Sequence, residues 1–272
     1  MIECFLIKND CYKKYKSVFL DPVGIVVHAT DPTEDGTLSR FVQPVAGQTG
    51  YINGKLATEV ELFHALGKNK YGNHWNRSGV EKAVHYMVGL DAAGEMAVAR
   101  TLHDTMPCWG AGSGPKGSFN GCYKGEAKDP LYIQIEMIED KNASLEHCQA
   151  LYKKTVWLCA YLVKTFPKIG KNIVSHKEAH ALGYASDHGD PEGYWKRAKS
   201  GYTMNGFRDD VVAQLQEPLY KDVPSDAWYA EYVAKATALG IMNGRGDGMF
   251  CPLNAPTRAE LAAVACRLYD LM

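Results

Sequence analysis

Apolar and polar positions follow two rhythms along this chain. Residues 24–30, 132–137 and 173–178 are short runs rich in β-branched apolar residues. Each carries one ionisable side chain at or near its end: His28, Glu136 and His176. Runs of this kind read as strands. A strand that ends on a His or Glu holds that group on a rigid support. Residues 84–89 read as a further, central strand that carries His85. Within 132–137, Ile133 and Ile135 alternate with Gln134 and Glu136, so Glu136 points to the face opposite the isoleucines. The alternation alone leaves open whether that face meets solvent or a cleft.

The helical rhythm begins at Ser144, which reads as an N-cap, with His147 where a capping box prefers Glu. Leu151, Val156, Leu158, Cys159, Leu162 and Val163 then form an apolar stripe, and Pro167 closes it. This helix should cover the sheet. A weaker helix is expected near 206–215. Strands with covering helices predict an α/β fold, a mixed central sheet flanked by helices. A different pattern begins near Glu217 and Pro218: helix, Gly-rich loop, helix. There Thr257 and Glu260 have the spacing of a capping box. Two domains are therefore expected, 1–216 and 217–272, the second a small α-helical module.

Composition narrows the functional classes. A length of 272 residues suits one medium domain plus a small one. A hydrophobic share of 46% against 22% charged residues supports a packed core. The net charge of -1 offers no argument for nucleic acid. No apolar run approaches the ~18 residues of a membrane span. The first ten residues lack a basic segment followed by an apolar one, so no signal peptide is expected. Eight cysteines without paired spacing read as reduced, mostly buried thiols.

The candidate chemistry is that of a metal site. Two His and one carboxylate leave an open fourth position, as a catalytic zinc requires. His28 and His176 supply the imidazoles. Asp187 and Asp190 compete for the third place, since an Asp beside Gly189 or Pro191 is ordinarily a turn former. Residues 41–44 and 71–77 are rich in aromatics and amides. They read as a sugar-binding wall around Trp75, although Trp75 would equally suit the core.

In this order the segments resemble type 2 N-acetylmuramoyl-L-alanine amidases, zinc hydrolases that cut the sugar–peptide link of peptidoglycan. The resemblance runs from about Ile25 to Val211. It implies Zn2+ held by His28, His176 and Asp190, with Glu136 as general base in an Ile-x-Ile-Glu strand. It places His188, where many relatives have Lys, as the group that stabilises the oxyanion. His85 is implied to be a core or supporting histidine. Trp75, Trp109 and Asn120, the last just beyond the glycine-rich loop 109–114, are the candidate substrate contacts, and Gly110 stands where relatives often carry His. Phage members of the family suggest an endolysin made in the host cytoplasm and acting at the cell wall. A non-catalytic wall-recognition protein and a zinc endopeptidase acting on the stem peptide are the alternatives.

Residues 219–272 resemble one S-layer homology repeat, carried by residues 227–229, 240–252 and 257–260. That implies binding of a secondary cell-wall polysaccharide, with Trp228 packing on sugar and Arg258 pairing with a carboxylate. Arg258 would equally pair with Glu260. Three such repeats normally build one binding unit. A single copy therefore implies either a homo-oligomer or a weaker anchor.

Overall fold

The computed structural model describes residues 1–33, 35–245 and 248–270. Gly246 and Asp247 of the C-terminal motif, and the last two residues of the expected second domain, lie outside the described residues. In chain order the elements are β1 (Ile2–Glu3), α1 (Asp10–Tyr15), β2 (Pro22–Ala29), β3 (Gly50–Ile52), β4 (Lys55–Ala57), α2 (Glu59–Leu66), β5 (Tyr86–Leu90), β6 (Met96–Arg100), β7 (Asn120–Tyr123), β8 (Glu126–Met137), α3 (Leu145–Thr165), β9 (Ile173–Ser175), α4 (His176–Leu182), α5 (Glu192–Arg197), α6 (Met204–Gln216), α7 (Ala230–Ala238) and α8 (Arg258–Asp270).

The strands form one mixed sheet in the order β4-β3-β1-β6-β5-β8-β2-β9, with β7 paired to β8. Its centre is parallel: β2 pairs with β8 and β9, and β8 with β5. Parallel strands covered on both faces read as continuous apolar runs. That is why β2 lacks a clean alternation: every residue but Val23 is buried. The neighbouring strands pack closely at Gly24, where a Cβ would fall 2.2 Å from the Tyr132 ring.

Helix α3 covers one face of the sheet. Ser144 caps it, accepting from the His147 backbone N–H. Leu151, Val156, Leu158 and Leu162 join Ile25, Val27, Ile133 and Ile135 in the main core, together with Phe207 and Val211 of α6. The opposite face carries Val26, His28, Gln134 and Glu136, so the alternation on β8 divides core from cleft. Helix α6 starts earlier than the sequence suggests, because Thr203 caps it by accepting from the Gly206 N–H. Six of the eight cysteines are buried thiols, Cys251 is half-buried and Cys266 exposed.

The C-terminal module builds a small core from Val223, Val233 and Phe250. Asp222 ties its loop by accepting from the N–H groups of Phe250 and Cys251, at 2.8 and 2.6 Å. Thr257 and Glu260 form the expected capping box. The module also touches the larger unit. Arg267 donates to the carbonyls of Ile241 and Gly54, the latter in the β3–β4 turn.

Candidate metal centre

Strand register assembles the site. In the β2–β8 pair His28 stands opposite Glu136. In the β2–β9 pair Val27 stands opposite Ser175, so the next residue, His176, falls beside His28. The sequence reading has His176 ending a strand; instead it opens α4. The reason is a capping box that follows the strand at once. Ser175 Oγ accepts from the Glu178 N–H, and the Glu178 carboxylate accepts from the Ser175 N–H. Arg208 of α6 grips the same carboxylate at 2.9 and 3.1 Å, fixing where α4 starts. Asp190 arrives from the following loop and is held by the Ala29 N–H, 3.1 Å from its Oδ2.

Two imidazole nitrogens and the Asp190 carboxylate converge. His28 Nδ1 and His176 Nδ1 are 2.9 Å apart. Asp190 Oδ2 lies 3.6 Å from the first and Oδ1 3.6 Å from the second. Zinc bonds of ~2.0–2.1 Å in a tetrahedron put neighbouring ligands about 3.3 Å apart, so the donor set fits that ion. Both His side chains are nearly inaccessible, and Asp190 keeps 17% exposure on the cleft side. Two imidazole nitrogens and a carboxylate converging in a buried site are the donor types that a zinc ion takes. Among the described residues this is the one such cluster of His, Cys, Asp or Glu. Asp187 lies outside it, 88% exposed and 3.6 Å from His180, as a turn residue does.

Charge follows from this packing. Burial raises the pKa of Asp190, but the hydrogen bond and charge of His28, with the charge of His176, hold it below the usual carboxylate range. Burial lowers that of His176, and the nearby His28 lowers it further. The unprotonated forms that a metal needs are therefore favoured at Asp190 and His176, while at His28 burial lowers the pKa but Asp190, Glu136 and Gln134 raise it overall, so a metal there displaces a proton.

The cluster lies at one side of a cleft of about 680 Å3. Glu136 lines it, 8% exposed. Burial pushes its pKa up to about 7; His28 opposes the shift, while Asp190, Glu139 and Asp31 add to it. His188 stacks on His176 with ring centroids 4.6 Å apart, and also faces the cleft. Trp109 lines the cleft. Trp75 lines the cleft while packing edge-on against Phe41.

Asn120 is a correction. It is fully buried and does not reach the cleft. Its Oδ1 accepts from the N–H groups of Gly110 and Ala111, and its Nδ2 donates to the Gly112 carbonyl. Its amide braces the loop that carries Trp109. His85 is a core histidine, accepting from the Gln134 N–H and donating to the Met106 carbonyl. The missing side chain at Gly110 has a packing cause, since a Cβ there would sit 2.9 Å from Val84 Cγ1. In the C-terminal module Trp228 is 81% exposed, beside Tyr232. Arg258 is exposed as well, while Glu260 pairs with Arg245 at 2.9 Å.

Sequence reasoning missed the Glu139–Arg197 ion pair on the cleft wall. Burial raises the Glu139 pKa to about 7 despite the Arg197 hydrogen bond. Glu136 and Glu139 thus share a linkage. Their folded values lie above the ordinary 4.5, so folding favours their neutral forms. The stability they contribute is complete below that value and lost as the pH rises through about 7. Metal-free protein should therefore melt at a lower temperature at pH ~8 than at pH ~5. Glu136→Gln should reduce that fall in a calorimetric pH series. An unchanged fall would mean that Glu136 does not carry the linkage.

Residues 219–262 match the S-layer homology domain. No curated protein matches the chain. Among solved structures, the chain is similar to the catalytic domain of XlyA, with 16% identity, 77% of this chain and 97% of that one covered, and a TM-score of 0.47. It is similar to the PlyG catalytic domain at 13% identity, covering 79% and 96%, with a TM-score of 0.44. It is also similar to the Staphylococcus aureus hydrolase AmiA bound to its ligand, at 20% identity, covering 72% and 74%, with a TM-score of 0.39. No helix among the described residues is long and apolar enough to cross a membrane.

Proposed function

We propose that the chain is a zinc-dependent peptidoglycan hydrolase that cleaves the amide between N-acetylmuramic acid and the L-alanine of the stem peptide. One observation supports it above all: two imidazole nitrogens and a carboxylate converge beside a buried glutamate in a cleft walled by tryptophans. His28, His176 and Asp190 would hold the ion. When bound, zinc polarises a carbonyl and lowers the pKa of a water from ~15.7 towards ~7. Glu136 takes a proton from the attacking water and delivers it to the leaving amine. Its raised pKa suits both halves of that transfer. His188 donates a hydrogen bond to the oxyanion that develops on the carbonyl. Trp75 and Trp109 offer flat faces to the glycan. The activity is that of a phage-type endolysin at the bacterial cell wall, and zinc content with product analysis tests it.

Residues 1–216 form the catalytic unit in this proposal and 217–272 the wall-binding one. Trp228 and Arg258 would meet a secondary cell-wall polysaccharide, one on sugar and one on its acidic groups. A chain ending at Gln216 should hydrolyse soluble muropeptide, because every proposed catalytic and metal residue precedes that point. It should melt at a lower temperature, since Leu219 packs against the main core. On intact walls it should lose activity, because tethering raises the local concentration of enzyme at an insoluble substrate. Equal activity of both chains on walls would remove the binding role of the module. Self-association through the single repeat is part of the same proposal. It rests on the exposed Leu261, Leu268 and Tyr269 of α8, and sedimentation of the full chain tests it.

A further inference from the structure

The proposed ligand His28 has a second ring nitrogen, and the structure gives it one partner. Gln134 lies two residues before Glu136 on the same face of β8 and is fully buried. Its Nε2 donates to the carbonyls of Phe119 and Tyr132, at 3.2 and 3.1 Å. Carbonyls only accept, so these two bonds fix which end of the amide is nitrogen. The other end, Oε1, then faces His28 Nε2 at 2.6 Å. An acceptor at that distance requires the His28 proton to sit on Nε2. In the neutral ring that a metal ligand must be, the lone pair is then left on Nδ1, the atom that meets His176 and Asp190.

The surroundings hold Gln134 in place. Its backbone N–H donates to His85 Nδ1 at 3.0 Å, and His85 is itself anchored on the Met106 carbonyl. Gly110 covers it so closely that a Cβ there would lie 3.3 Å from its Cβ and Cγ. Ser186 stands in a similar relation to His176. Its Oγ is 3.3 Å from His176 Nε2 and 3.2 Å from the Ala111 carbonyl, which takes the hydroxyl proton and leaves a lone pair for the ring. Gly112 makes room for it, since a Cβ there would be 2.6 Å from Ser186 Oγ.

We propose that Gln134 is a positioning residue of the metal centre: its amide oxygen holds His28 in the Nε2–H tautomer and so presents Nδ1 to the ion. The inference rests on the zinc reading above. It predicts more than a packing role, because only an acceptor at this position matters for the ring. Gln134→Met keeps the volume and removes the acceptor. Gln134→Glu keeps an acceptor whether its carboxyl is neutral or ionised.

The test is zinc affinity of the full chain, measured by competition with a chromophoric chelator. Gln134→Met should bind zinc ~10–100-fold more weakly than the native chain, the usual cost of losing an outer partner of a ligating His. Gln134→Glu should stay within a few-fold of the native value. A purely structural role would weaken both alike, and that result, or native affinity in Gln134→Met, overturns the proposal. Nitrogen-15 spectra of the zinc-loaded native chain test the tautomer even if a variant fails to fold. A protonated His28 Nε2 is expected, and an unprotonated one overturns the proposal. No zinc uptake by the native chain would instead sink the metal reading itself.

Discussion

His28→Ala or His176→Ala should abolish amide hydrolysis and bring the zinc content of dialysed protein from about one ion per chain to near zero. The cause is ligand count. A catalytic zinc site with three protein ligands cannot fix the ion on two. The two imidazole nitrogens stand 2.9 Å apart, so removal of either dismantles the closest edge of the cluster. Elemental analysis beside a turnover assay on muropeptide measures both effects. A melting curve of the metal-free variant separates loss of the ion from loss of the fold. Full activity in either folded variant would remove His28 or His176 from the site.

Glu136→Gln should separate chemistry from metal binding. The change preserves size and hydrogen bonding and removes the base, so zinc should remain while kcat falls by roughly 10²–10⁴-fold. Glu136 neighbours His28 across the β2–β8 pair yet lies outside the ligand cluster, which is why the two effects should come apart. Loss of zinc together with activity would make Glu136 a ligand or a structural residue.

The central strands were legible because parallel, doubly covered strands leave continuous β-branched runs, as in β2 and β9. Strands β1, β3 and β4 are two or three residues long and leave no such run. The start of α4 was hidden by position: Ser175 and Glu178 make a good capping box, but it follows a strand with no intervening loop. His28, His176, Asp190 and Glu136 stood out through residue type and order together, and the folded chain brings Asp190, rather than Asp187, beside the two histidines. Asn120 misled because a polar residue beside a glycine-rich loop looks like a substrate contact. Its hydrogen bonds to Gly110, Ala111 and Gly112 are visible only once the loop is folded. Gln134 was present in the alternation but carried no mark of its own, and the Glu139–Arg197 pair joins residues 58 positions apart. No periodicity reports a contact of that range.

The identity of the bond that is cut separates an amidase from an endopeptidase and from a recognition module. Mass spectrometry of purified cell walls digested by the zinc-loaded chain reads it directly. The proposed site predicts released stem peptides that begin with a free alanine, together with glycan strands whose muramic acid has lost its peptide. Alanine still attached to muramic acid, with new termini inside the stem peptide, would mark an endopeptidase instead. Undigested walls from zinc-loaded, folded protein would leave only a recognition module.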